Sequence, residues 1–136
     1  MSFAPYLSFD GTCEPAMQFY ASVFGATDLQ LMRYSDAPPG TFPDGVAVDR
    51  ILHAQFTLGS VPLLASDVPP GMPVVQSGVS VFHAAATDAL ALDIFAKLAD
   101  GGSISMQYGP TFWGPGFGMV TDRFGTHWMI SVAPST

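Results

Sequence analysis

Basic residues are scarce. The chain has 136 residues, of which only four are Lys or Arg against eleven Asp or Glu, for a formal net charge of −7. Phosphate backbones and anionic membrane surfaces are bound by clustered cations. No nucleic acid and no membrane is therefore expected as a partner. Cysteine is nearly absent too. Cys13 stands alone, so no intrachain disulfide can form, which suits a reducing compartment. No apolar run approaches the roughly 20 residues that a membrane-spanning helix needs. The opening Met1-Ser2-Phe3-Ala4-Pro5 has no basic region and no long apolar stretch, so no signal peptide is expected and a cytoplasmic location is.

What is present is apolar and turn-rich. Hydrophobic residues make up 49% of the chain, with eleven Phe, fourteen Gly and twelve Pro. That is enough for a core, built from short elements. It is also more apolar material than so small a domain usually hides, which points to a ligand cavity or an oligomer interface. The oligomer expected is a homodimer.

Two segments carry helical periodicity. From Cys13 to Phe24, residues Ala16, Met17, Phe19, Tyr20, Val23 and Phe24 form one stripe. Thr12 or Cys13 suits the cap and Gly25 the stop. From Asp88 to Asp100, residues Ala91, Ile94, Phe95 and Leu98 share a face, with Thr87 or Asp88 as cap. Strands are expected at 4–9, 29–34, 51–58 and 61–66, then at 79–85, 103–108, 118–121 and 127–132. Each half thus reads strand, helix, strand, irregular stretch, two strands. The fold class expected is α+β, with tandem βαβββ modules over residues 1–69 and 70–136 that form a cupped mixed sheet around a small-molecule cavity. The longest irregular stretch, Ser35 to Val48, is expected to be a cavity lid, a dimer contact or a plain flexible loop.

At this point the chain resembles a known family. The segments that carry the resemblance are Pro5-Tyr6-Leu7-Ser8-Phe9-Asp10-Gly11, Phe19-Tyr20, Val23-Phe24-Gly25 and Met32-Arg33-Tyr34-Ser35-Asp36. With them go His53-Ala54-Gln55-Phe56, Ala65-Ser66-Asp67, Phe112-Trp113-Gly114 and Met119-Val120-Thr121-Asp122-Arg123-Phe124-Gly125, running into Trp128-Met129. Together they resemble the vicinal oxygen chelate superfamily of glyoxalase I, extradiol dioxygenases and bleomycin-resistance proteins. The branch is the PhnB-like one, also labelled 3-demethylubiquinone methyltransferase-like. The resemblance implies a glyoxalase-like fold and, in many members, a divalent metal. The ligand positions that it implies fall near Pro5, Gln55, Phe82 and Met129. Only Gln55 there offers a hard donor, so no metal is expected in the usual way.

Read for chemistry, the residues offer few candidates. His53, Gln55 and Thr57 alternate and share one strand face, with Ala54, Phe56 and Leu58 on the other. That makes His53 the candidate catalytic group and Gln55 a ligand contact. His127 and His83 are weaker candidates. Arg33 and Arg50 border the long loop and could anchor a carboxylate or phosphonate; Arg123 reads as a hairpin residue paired with Asp122 or exposed. Trp113, in the aromatic and glycine-rich stretch 111–118, could wall a pocket. Gly114, Gly116 and Gly118 are followed by no helix, so no dinucleotide site is expected. Neither an S-adenosylmethionine pattern nor a hydrolase nucleophile elbow is present, and Cys13 reads as a buried, inert thiol. Two functions stay open: a small-molecule binder of the bleomycin-resistance kind without metal, and a metal-dependent isomerase or dioxygenase that uses His53.

Overall fold

The computed structural model describes residues 3–42 and 48–134. The chain divides into two compact units, Met1–Val75 and Gln76–Thr136. The first holds β1 (Tyr6–Phe9), α1 (Cys13–Phe24), β2 (Gln30–Arg33), a 3-10 turn at Tyr34–Asp36, β3 (Ile51–Leu58) and β4 (Val61–Asp67). The second holds β5 (Val81–Ala85), α2 (Asp88–Ala99), β6 (Ser103–Thr111), β7 (Gly114–Thr121) and β8 (His127–Val132). Each unit forms one four-stranded sheet, in the orders β1-β4-β3-β2 and β5-β8-β7-β6. In each, the first strand runs parallel to the last and the other neighbours are antiparallel. The fold is α+β, a tandem pair of βαβββ modules.

Period-2 burial explains how each sheet takes up its helix. In β3 and β4, Ala54, Phe56, Leu63 and Ala65 are buried, and α1 answers with Ala16, Met17, Tyr20 and Val23. Burying each large side chain of this kind contributes about 1.5–3 kcal/mol. Phe19 and Phe24, expected in the same stripe, are only half-buried. In the second unit Ala91, Ile94, Phe95 and Leu98 pack with Val120, Trp128 and Ile130 of the sheet, all buried.

The helix starts differ. Thr87 caps α2 as expected, its Oγ1 accepting from the Leu90 N–H at 3.2 Å. Thr12 occupies the cap position of α1 but makes no side-chain cap bond. The acceptor comes instead from the far end of β4. Asp67, only 2% exposed, takes the Gly11 and Cys13 N–H groups on Oδ1 at 2.8 and 3.0 Å and the Ile51 N–H on Oδ2 at 2.9 Å. A carboxylate at a helix N-terminus is favoured by the helix dipole as well as by these bonds. Asp122 plays a similar part in the β7–β8 turn. Its Oδ1 accepts from Phe124 and Thr126, and its Oδ2 from the Trp128 indole at 2.8 Å. Arg123 is exposed, with its guanidinium carbon 5.5 Å from the centre of the Phe124 ring.

The stretch 111–118, expected to be irregular, is a hairpin. β6 runs to Thr111, β7 begins at Gly114, and Phe112-Trp113 form the turn. The glycines serve packing. A Cβ on Gly118 would lie 2.7 Å from Phe95 Cε2 and 2.9 Å from the Tyr108 backbone, and one on Gly116 would overlap the Tyr108 phenol. β7 is stripped of side chains so that the Tyr108 ring can lie across it and donate to Asp88 Oδ1 at 2.8 Å. Of the long loop, residues 43–47 fall outside the described residues, and with them part of the expected lid or dimer contact. Its ends are tied by a Ser35 N–H to Val48 carbonyl bond of 2.9 Å.

Candidate functional site

Each sheet has a face turned away from its own helix. In the first unit the strand register lines up Tyr6 with Leu64, Leu64 with Gln55 and Gln55 with Gln30. Paired residues project to the same side, so these four make one rung across that face. His53 lies on the same side, two residues before Gln55 and opposite Met32. The second unit has the corresponding rung in Phe82, Met129, Met119 and Met106.

His53 is the centre of a short hydrogen-bonded chain. Its Nδ1 lies 3.2 Å from the Tyr6 hydroxyl and its Nε2 lies 2.9 Å from Gln55 Oε1. The Tyr6 and His53 rings are 5.9 Å apart and tilted. His53 and Gln55 are half-buried and Tyr6 is exposed. The alternation in β3 therefore places His53 and Gln55 together, and β1 adds Tyr6, which sequence reasoning missed as a site residue. The signal was there in part, because the family resemblance implied a ligand position near Pro5 on the first strand. The residue on this rung is Tyr6 and not Pro5, one position along.

Arg33 and Arg50 sit elsewhere in the first unit. The Arg33 guanidinium reaches Glu14 on α1, with Nη2 at 2.9 and 2.8 Å from the two carboxylate oxygens, and Nη1 donates to the Asp49 carbonyl. Arg50 Nη1 donates to Asp10 Oδ1 at 2.7 Å and to the Val68 carbonyl. Both guanidinium groups tie loops to the helix end of the sheet. In the second unit, Trp113 at the hairpin tip is 58% exposed, edge-on to Phe112 at 4.8 Å and to Phe117 at 5.6 Å. His127 is committed to neighbours: Nδ1 to Thr121 Oγ1 at 2.8 Å and Nε2 to the Gln76 carbonyl at 3.0 Å. Burial lowers the pKa of His83, favouring its neutral form. Cys13 is fully buried. Burial, with the Asp67 and Glu14 charges behind it, pushes its thiol up to about 12, so it is not a nucleophile near neutrality.

The donors on the two rungs do not fit a hard divalent cation. In the first unit they are a phenol and two carboxamides beside the His53 imidazole; in the second they are an aromatic ring and three thioethers; neither rung carries a carboxylate. Among the described residues no group of three or more His, Cys, Asp or Glu is arranged to hold a metal.

Similarity to known proteins covers nearly the whole chain. The family described as 3-demethylubiquinone-9 3-methyltransferase matches residues 1–131. Protein YjdN of Escherichia coli strain K12 is 32% identical over 144 residues, covering 97% of this chain and 95% of that protein. The crystal structure of protein PA1353 from Pseudomonas aeruginosa superposes with a TM-score of 0.89 at 38% identity, covering 99% of both chains. A putative 3-demethylubiquinone-9 3-methyltransferase, PhnB protein, from Bacillus cereus gives a TM-score of 0.75 at 27% identity, over 98% of this chain and 100% of that one. A glyoxalase-related enzyme from Fulvimarina pelagi, at 18% identity and a TM-score of 0.58 over 98% of this chain and 90% of that one, shares the fold. With its two βαβββ units and these matches, the chain belongs to the 3-demethylubiquinone-9 3-methyltransferase-like, PhnB-like branch of the vicinal oxygen chelate superfamily.

Proposed function

We propose that this chain binds a small organic molecule, without the divalent metal that many members of the superfamily hold. The observation that carries the reading is the Tyr6–His53–Gln55 chain on the open face of the first sheet. Buried or half-buried polar groups that link to one another on a sheet face are well placed to orient a ligand. The carboxylate at the edge of this face, Asp28, is already taken up by the Thr57 N–H and hydroxyl, which leaves too few hard donors for a usual metal site. Trp113 in the second unit supplies an exposed aromatic surface of the kind that takes flat apolar groups. The functional form is a homodimer, which accounts for the surplus of apolar residues in the sequence. A methyl transfer, as the family's name describes, is not carried over, because neither sheet is the doubly wound parallel type that cradles such nucleotide-like cofactors.

A metal-dependent isomerase or dioxygenase is the second reading, favoured by one feature: an imidazole beside a carboxamide on one face. Elemental analysis of protein purified without chelator, on wild type and His53→Ala, separates the two. The expected result is no near-stoichiometric divalent metal in either protein. A ligand screen by thermal shift should then give hits that weaken in His53→Ala or Trp113→Ala. Near-stoichiometric metal that disappears in His53→Ala would replace the binder with the enzyme.

A further inference from the structure

We propose that Tyr6 completes the recognition group and that its hydrogen-bond polarity selects an uncharged ligand carrying one donor and one acceptor. The inference rests on the binding face assigned above and names its ligand class. Gln55 sets the polarity. Its Oε1 faces His53 Nε2 at 2.9 Å, and a carbonyl oxygen can only accept, so Nε2 bears the proton. A neutral imidazole then has Nδ1 unprotonated. The Tyr6 hydroxyl, 3.2 Å away, must therefore donate to it. For a neutral imidazole the proton order along the chain follows: Tyr6 gives to His53, and His53 gives to Gln55. Two functions are left for a ligand. The Tyr6 oxygen presents lone pairs, and the Gln55 amide presents N–H groups, separated by the imidazole and its two hydrogen bonds.

Charge narrows the class further. All four basic residues have partners among the described residues. Arg33 Nη2 reaches both carboxylate oxygens of Glu14, and Arg50 pairs with Asp10. Lys97 pairs with Asp93 at 2.9 Å, and Arg123 lies over Phe124. Within the first unit, both arginines are tied to the α1 end of the sheet and not to the rung that carries Tyr6 and Gln55. An anion on this face meets no cation of its own unit and a net charge of −7. A carboxylate or phosphonate ligand, which the sequence suggested for the arginines, is disfavoured. The matching molecule is neutral, with a hydroxyl or N–H for Tyr6 and a carbonyl-type oxygen for Gln55.

Two measurements test this on the full-length protein. The first needs no ligand. Long-range 1H–15N spectra at alkaline pH, with His53 assigned by comparison with His53→Gln, should show the proton on Nε2. A proton on Nδ1 would reverse the order of the chain and overturn the assignment. The second uses three probes on one ring: 3-hydroxybenzamide, 3-hydroxybenzoate and 3-hydroxybenzylamine. In labelled protein the neutral amide should shift the Tyr6, His53 and Gln55 signals most, and Tyr6→Phe and Gln55→Leu should each weaken it at least tenfold. Equal or stronger binding of the benzoate or the benzylamine at these residues would overturn the ligand class. If no probe reaches them while the Nε2 proton is seen, the binding face itself fails, and the ligand class with it; the Nδ1 outcome leaves that face standing.

Discussion

Asp67 shows how much of this fold hangs on single side chains. It lies at the end of β4, yet it holds the start of α1 and the start of β3 through three backbone N–H groups. Its own carbonyl also accepts from the buried Tyr34 hydroxyl at 2.9 Å. Removing the carboxylate strands several donors in a dry site, where each unsatisfied group costs about 1–3 kcal/mol. Asp67→Ala should therefore destabilise the protein by roughly 2–4 kcal/mol in urea unfolding, while Asp93→Ala on the surface should change stability by less than about 0.5 kcal/mol. Equal effects in the two variants would refute the keystone role. Alkali probes two other residues. Burial holds the Cys13 thiol at about 12 against an ordinary value near 9. Burial and the Asp88 hydrogen bond hold the Tyr108 phenol at about 12 against about 10. Both groups are neutral when protonated and release the proton more easily when unfolded. Their contribution is complete below about pH 9 and is lost as the pH rises through about 12. Thermal melts should fall across that window, and Cys13→Ala with Tyr108→Phe should flatten the fall. Neither Asp67 nor Tyr6 showed its role in the sequence, because the contacts span 54 and 47 positions and leave no local pattern.

Elements built on local periodicity were legible. Cys13–Phe24, Ile51–Leu58 and His127–Val132 appear with the bounds that their apolar spacing suggests, since one buried face dictates the period. The alternation of His53 and Gln55 was readable for the same reason. The glycine-rich start of β7 was not. Gly114, Gly116 and Gly118 read as a flexible stretch, because glycine usually weakens a strand. Here the cause is distant: Tyr108 and Phe95 occupy the space that side chains on Gly116 and Gly118 would need. Gly118→Ala should cost about 1–3 kcal/mol, the range for overpacking a tight core, because backbone lies in the way. Gly116→Ala meets the movable end of Tyr108. It should mainly break the bond to Asp88, seen as a changed near-UV tyrosine signal with a smaller loss of stability. If Gly118→Ala proved as stable as wild type, packing would not be the reason for these glycines.

At the scale of the whole molecule, one plan is used twice with different surfaces. Both units place the first strand beside the last and lay a twelve-residue helix on one side. The family and the duplication were readable over nearly the full length, because turns and apolar stripes recur in the same order. The ligand was not, because it depends on which side chains meet on the open faces. The proposed homodimer is tested by sedimentation equilibrium, where twice the chain mass is expected at micromolar concentration; a monomer throughout would remove it. The rung of Met106, Met119 and Met129 has a practical consequence for anyone who handles the protein. Met106 is 41% exposed and its two neighbours are half-buried. Peroxide converts such thioethers to sulfoxides, which are polar and chiral. Stock kept in air should oxidise along this rung as well as at the exposed Met32 and Met72, turning an oily strip wet while the fully buried Met17 stays reduced, and a methionine sulfoxide reductase should restore fresh material.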